Sequence, residues 1–155
     1  RSHAGNIGVA PVPGGAGVAA PPGAPAPPVD DAIAQYKAAY AAYQQGDLST
    51  ASHAFADFVA RYPTHGYADN ALYLLGDCRF QRAEYAGALE AFRAVLTQHP
   101  TGNKVPDALL MIGRTLQRLG RPAEGRETLA RLVAMYPDTD AAQRAASHLG
   151  GQGRM

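Results

Sequence analysis

His53 and Asp57 stand four residues apart in LSTASHAFADFVAR, a spacing that places two potential metal ligands on one face of a helix. No third ligand accompanies them, so the expectation is a solvated pair. The one cysteine, Cys78, excludes an internal disulfide and a multi-cysteine metal site. With no histidine at helical spacing from it, Cys78 reads as a buried, inert thiol rather than a nucleophile. His65, His99 and His148 fall near loops or helix ends, where His99 can interact with a helix C-terminus. There is no G-x-S-x-G elbow, phosphate loop or dinucleotide fingerprint. The GGAG at 14–17 has no strand or helix beside it and reads as flexible chain. No catalytic constellation, cofactor site or metal site is expected.

Recognition chemistry is better represented. Tyr36, Tyr40 and Tyr43 follow i, i+4, i+7, one stripe of a helix. For each ring, core packing and surface exposure are both open readings. Residues 101–137 carry Lys104, Arg114, Arg118, Arg121, Arg126 and Arg131 against Asp107, Glu124 and Glu127. Arg121, Arg126 and Arg131 read as a solvated face.

The elements that must position these side chains form a repeat. Pro63, Pro100 and Pro137 recur at 37 residues (100 − 63 = 137 − 100), as do Gly76, Gly113 and Gly150. So do Ala51, Ala88 and Gly125; Phe55, Phe92 and Leu129; Phe58, Val95 and Leu132; and the turn column Gly46, Ala83 and Gly120. Each unit is a helix A, a short turn, a helix B, then proline and a loop. The A helices are expected near 31–45, 70–82 and 107–119, the B helices near 49–62, 85–99 and 123–136, and a last helix near 139–149 as an unpaired A. The column prolines lack the N–H a helix interior needs and push the preceding residue out of the helical region. Pro106 and Pro122 suit first-turn positions, and Asp30 and Asp47 are candidate N-caps. Gly76 and Gly113 inside helix A imply a close approach of helix B, with Ala39 in the same place in the first unit. Such a pair cannot bury its apolar face alone, whereas stacked pairs can.

LGDCRFQRAEYAGALEAFRAVLTQHP resembles the tetratricopeptide repeat, from Leu75 and Gly76 through Tyr85, Ala88 and Phe92 to Pro100. Ala83 in place of a turn glycine and Gly125 in place of a small alanine depart from that pattern. The resemblance implies an all-α solenoid of three helix-turn-helix repeats plus a C-terminal capping helix over residues 30–150. It also implies a concave groove lined by the A helices. Registered by the glycine column, the groove residues are Tyr36, Tyr40 and Tyr43; Asn70, Tyr73, Asp77 and Phe80; and Asp107, Leu110, Arg114, Gln117 and Arg118. An aromatic wall at one end and basic donors at the other suit an extended peptide.

YKAAYAAYQQGDLSTASHAF, YADNALYLLGD and VPDALLMIGRTLQRLGRPAEGRETLARLVAMYP together resemble the C-terminal domain of the Tol-Pal-associated YbgF family, also called CpoB, over about 31–149. That resemblance implies a non-catalytic periplasmic scaffold that binds TolA, with a peptidoglycan synthase complex as a further partner. It would coordinate outer-membrane constriction with peptidoglycan synthesis at division. It also implies a preceding coiled coil through which the full-length protein oligomerises, this stretch alone being a monomer. The alternative is a tetratricopeptide lipoprotein of outer-membrane assembly or pilus biogenesis.

The bulk composition fits. Lys and Arg number 14 against 13 Asp and Glu in 155 residues, which gives no electrostatic footprint for nucleic acid or an anionic membrane. No apolar run is long enough to cross a bilayer, so no direct membrane insertion is expected. Residues 1–29 are rich in Pro, Gly, Ala and Val and nearly uncharged, and read as a linker; 151–155 read as a tail. No basic-then-apolar leader is present, and a first residue of Arg is expected of a fragment or a processed form.

Overall fold

The structure, a computed structural model, describes residues 28–151. The expected linker up to residue 27 and the expected tail beyond residue 151 lie outside the described residues. Seven helices follow one another: α1 (Val29–Gln44), α2 (Leu48–Arg61), α3 (Ala68–Gln81), α4 (Tyr85–Gln98), α5 (Val105–Arg118), α6 (Pro122–Met135) and α7 (Asp140–Gly151). There is no strand among the described residues. Each helix packs on the next, and α5 also touches α7. This is an all-α tetratricopeptide-type solenoid in which α1, α3, α5 and α7 are the A helices and α2, α4 and α6 the B helices.

The punctuation acts locally as its chemistry requires. Tyr62, His99 and Tyr136, each before a column proline, end their B helices at nearly one conformation, with φ of −128°, −131° and −132° and ψ of 55°, 57° and 55°. Pro106 and Pro122 sit in the first turns of α5 and α6. Asp47 caps α2, its Oδ1 accepting from the Thr50 amide at 3.2 Å. The expected cap at Asp30 is corrected: α1 begins at Val29 with Pro28 at the N-cap position. Pro28 has a φ of −55°, and its carbonyl accepts from the amides of Asp31 and Ala32 at 3.0 and 3.4 Å. α7 likewise runs past the expected Leu149 to Gly151.

Each A–B turn closes with two hydrogen bonds that satisfy the last carbonyls of helix A. Around Gly46 they run from Gly46 N to Tyr43 O and from Asp47 N to Ala42 O, both 3.0 Å. This closure needs a left-handed residue. Gly46 and Gly120 supply it at φ 79° and 75°, and Ala83 is held in the same region at φ 60°.

The core is made of the recurring columns. Phe55, Phe92 and Leu129, with Phe58, Val95 and Leu132, have no exposed surface. The glycines of helix A face them: a Cβ on Gly76 would lie 2.6 Å from the Phe92 ring, and one on Gly113 2.6 Å from Leu129 Cδ2. Gly125 departs from the repeat pattern for the same reason, since a Cβ there would stand 2.7 Å from the Gly113 carbonyl oxygen. The third A–B pair is therefore in backbone contact.

Candidate functional site

Stacking the pairs sets the A helices side by side and brings their side chains into rungs. Asn70 Nδ2 of α3 donates to the Tyr36 hydroxyl of α1, and Tyr43 donates to Asp77 Oδ2 at 2.6 Å, each pair 34 residues apart. The Arg114 guanidinium carbon of α5 sits 5.4 Å from the centroid of the Phe80 ring of α3, again 34 residues on (114 − 80). Equivalent positions recur at 37 residues, so neighbouring A helices meet three residues out of step, about 4.5 Å along the axis.

At the first end lies an aromatic wall. Tyr36 stacks on Tyr40 (ring centroids 6.2 Å apart), Tyr40 on Tyr43 (6.1 Å), and Tyr67 closes on Tyr36 at 4.7 Å. Tyr36 also meets Phe55 and Phe58 edge-on, so its two open readings combine: it is a core residue with one side on the face. Tyr40 and Tyr67 are 38% and 45% exposed and carry the wall's accessible surface. Sequence reasoning missed Tyr67. It sits in the loop before α3, where its amide donates to His65 Nδ1 at 3.0 Å. The residue one period on is Lys104 (67 + 37), so no repeat column marks it.

The middle is polar and half-buried. Asp77 Oδ2 accepts from both Tyr43 and Gln81 Nε2, the latter at 2.7 Å. Burial, then the Asp77 bond and charge, raise the Tyr43 hydroxyl above its ordinary value. Burial raises Tyr36 too, against the opposing Asn70 bond. Tyr73 is pushed up to about 12, by burial first and then by Asp107 and Asp77, with Arg144 and Arg114 pulling the other way. Its ring packs on Phe92 at 5.6 Å, and Lys104 Nζ lies 5.3 Å from its centroid. Tyr73 is thus as much a packing residue as a face residue.

At the far end, Leu110 and Arg114 of α5 join Arg144, Ser147, His148 and Gly151 of α7 around an open recess of about 440 Å³. From the sequence, α7 was expected only as a cap. The 37-residue spacing could have found three of these residues, since Arg144, Ser147 and Gly151 stand one period after Asp107, Leu110 and Arg114. Gln117 is placed differently from the groove expectation. Its Cγ lies 3.0 Å from where a Cβ on Gly125 would be, so it lies against α6, with Nε2 buried and without a hydrogen-bond partner. The bare Gly125 backbone leaves the space that draws it there. Arg118 is exposed in the last turn of α5.

The remaining chemistry-bearing residues are placed apart from this face. His53 Nδ1 is 2.8 Å from the Ser49 carbonyl oxygen, and both His53 and Asp57 are exposed. Cys78 is buried and its thiol is pushed up to about 11, chiefly by burial. Arg121 pairs with Glu124 (Nη2 to Oε1, 2.8 Å), and Arg126 and Arg131 are exposed. No group of three or more His, Cys, Asp or Glu gathers among the described residues. No helix there is long and apolar enough to cross a membrane.

Two family models of the tetratricopeptide repeat match residues 29–103 and 79–149, together spanning 29–149. No curated protein matches the chain. Among solved structures it is similar to the Yersinia enterocolitica type III secretion translocator chaperone SycD, at 21% identity and a TM-score of 0.66 over 80% of this chain and 91% of that one. It is similar to PcrH in complex with the chaperone binding region of PopB (18%, TM-score 0.66, 81% and 96%). The first tetratricopeptide domain of Spaghetti (RPAP3) bound to the HSP90 peptide SRMEEVD also matches (12%, TM-score 0.67, 85% and 100%).

Proposed function

The chain belongs to the tetratricopeptide-repeat family, and from that premise we propose that it is a non-catalytic protein–protein interaction scaffold whose A-helix face binds an extended segment of a partner. The observation that carries this reading is the wall of Tyr36, Tyr40, Tyr43 and Tyr67. Its rings pack on one another, with Tyr36 and Tyr43 also fixed through their hydroxyls, and two of them remain well exposed. Rigid tyrosines supply contact area at low entropy cost. That PcrH and the Spaghetti domain are described with bound partner segments supports a peptide or protein as the occupant.

The finer reading is a periplasmic scaffold of the Tol-Pal system. It binds TolA and, with a peptidoglycan synthase complex, links outer-membrane constriction to peptidoglycan synthesis during division. Its support is the sequence resemblance over 31–149. In this reading residues 1–29 connect the repeats to a coiled coil that oligomerises the full-length protein, and the repeats themselves are monomeric.

Titration calorimetry of a purified TolA domain against the parent and single variants tests it. Tyr40→Ala and Tyr67→Ala should each weaken binding about tenfold, or about 1.4 kcal/mol, while Arg126→Glu on the B-helix side leaves it unchanged. Parent-like affinity in both tyrosine variants would move the partner off this face. No heat from the parent would remove TolA as the partner.

A further inference from the structure

The recess between α5 and α7 is lined by Arg114 and Arg144 and, among the described residues, by no acidic one. The ion pairs among the described residues are Arg82–Glu84, Lys104–Asp107 and Arg121–Glu124; Arg114 and Arg144 take part in none. None of the acids near them on the packed helices forms an ion pair with either arginine. Asp107 is held by Lys104 at 3.9 Å, Asp77 accepts from Tyr43 and Gln81, and Asp140, one turn before Arg144, forms no ion pair. Arg114 is also held ready. Its guanidinium lies over the Phe80 ring, a contact that uses no N–H, and only Nη1 has a weak further contact, to the Met111 sulfur at 3.7 Å. A guanidinium fixed this way keeps its fork of donors for a carboxylate and loses little freedom on binding one. Ser147 already donates to the Gln143 carbonyl at 3.1 Å, so the arginines and His148 are the available donors.

The volume of about 440 Å³ exceeds what a lone ion needs and suits a side chain with its flanking backbone. Leu110 and Arg144, and Arg114 and His148, stand 34 residues apart (144 − 110 = 148 − 114), the spacing at which the earlier A helices meet, and all four line the recess, which thus prolongs the face that begins at the tyrosines. We propose that it binds a side-chain carboxylate of an extended acidic peptide, with Arg114 and Arg144 as its two guanidinium donors. This rests on the groove reading above and specifies the occupant's chemistry. Because the recess is open along the face, it admits a side chain from a segment passing over it.

The test uses the ¹⁵N-labelled chain and short N-acetylated peptides of Ala and Val. One contains Glu and is C-terminally amidated, one is its Gln counterpart, and a third is the Gln peptide with a free C-terminus. The Glu peptide should shift the amides of 110–114 and 144–148 and bind at least tenfold more tightly than the amidated Gln peptide, with the advantage shrinking as salt rises. Arg114→Gln and Arg144→Gln should each reduce it to the Gln level, and Arg126→Gln should not. Equal binding of the Glu and amidated Gln peptides, or an unchanged Glu affinity in both arginine variants, overturns the proposal. A free-carboxylate Gln peptide that outbinds the amidated Glu peptide overturns it in favour of a chain end. If the recess fails while amides around Tyr40 and Tyr67 still shift, the groove reading survives. If no peptide moves any amide of the face, both fall.

Discussion

The hydroxyl of Tyr43 on α1 donates to Oδ2 of Asp77 on α3 at 2.6 Å, across 34 residues of chain. The acceptor is a carboxylate oxygen that Gln81 also reaches, so the bond is charge-assisted and half-sheltered. Tyr43→Phe keeps the ring stacked on Tyr40 and deletes only the donor. It should cost about 1–2 kcal/mol in urea denaturation with an unchanged slope. A loss below about 0.5 kcal/mol would mean that Gln81 and solvent satisfy Asp77 without the tyrosine.

Ala83 occupies the left-handed turn position that glycine fills in the other two repeats. An L-residue with a Cβ is strained there, and glycine is not, although glycine loses more chain entropy on folding. At this φ the relief of strain outweighs the entropy loss, so Ala83→Gly should stabilise by about 0.5–1 kcal/mol. A thermal midpoint below that of the parent would show that the entropy loss wins instead.

Gly76→Ala sets two effects against each other. Helix propensity favours alanine by about 1 kcal/mol. Against it, the new Cβ would meet the fully buried Phe92 ring at 2.6 Å, and overpacking costs about 1–3 kcal/mol. The ring is fully buried in the core, so a net loss is expected. Gly150→Ala meets nothing within 4 Å and should be neutral or slightly stabilising. Equal thermal midpoints for the parent and Gly76→Ala would show that α3 and α4 can part at no cost.

Tyr73 titrates near 12 in the folded chain, against 10.0 for an unperturbed phenol. Between those values the folded chain holds a proton that the unfolded chain has released. The contribution of Tyr73 is therefore undiminished below about pH 10 and falls as pH rises through 12, while Cys78, raised from 9.0 to about 11, adds a fall that begins near pH 9. Tyr36 and Tyr43 shift in the same direction. Thermal midpoints from pH 9 to 12 should show this fall, and Tyr73→Phe should make it shallower without abolishing it, since Tyr36, Tyr43 and Cys78 remain; an equal slope in that variant would assign the effect to those groups. Tyrosinate absorbance in the native chain should show a late-titrating group that the variant lacks.

The helices were legible because their signals are local. The column prolines set the B-helix ends through steric restriction of one preceding residue. The Phe55/Phe92/Leu129 and Phe58/Val95/Leu132 columns mark one buried stripe, and their complete burial follows. Ala83 stood out as a departure from a glycine column, and the backbone it must adopt explains why glycine belongs there. Asp30 misled because Pro28, two residues earlier, already starts the helix with a φ suited to entry.

The recognition face was legible only by halves. Periodicity placed Tyr36, Tyr40 and Tyr43 on one stripe, but whether a ring is core or surface depends on what the next repeat sets against it. Tyr36 is both, Tyr40 lies outside, and Tyr43 is tied to Asp77. Gln117 turns to α6 because Gly125 leaves a gap that no residue on its own helix reveals.

By itself, then, the sequence determined the repeat, its period, its B-helix ends and its core columns, all of which follow from backbone sterics and apolar spacing within one unit. Only the tertiary structure decided which residues meet across units. Stacked A helices are stepped, so Tyr43 finds Asp77 and Phe80 finds Arg114 at 34 residues rather than 37. The same stepping brings Arg114 beside α7 and opens a recess between them. That offset is set by how the buried side chains of whole helices interlock, and no single stretch of the chain encodes it.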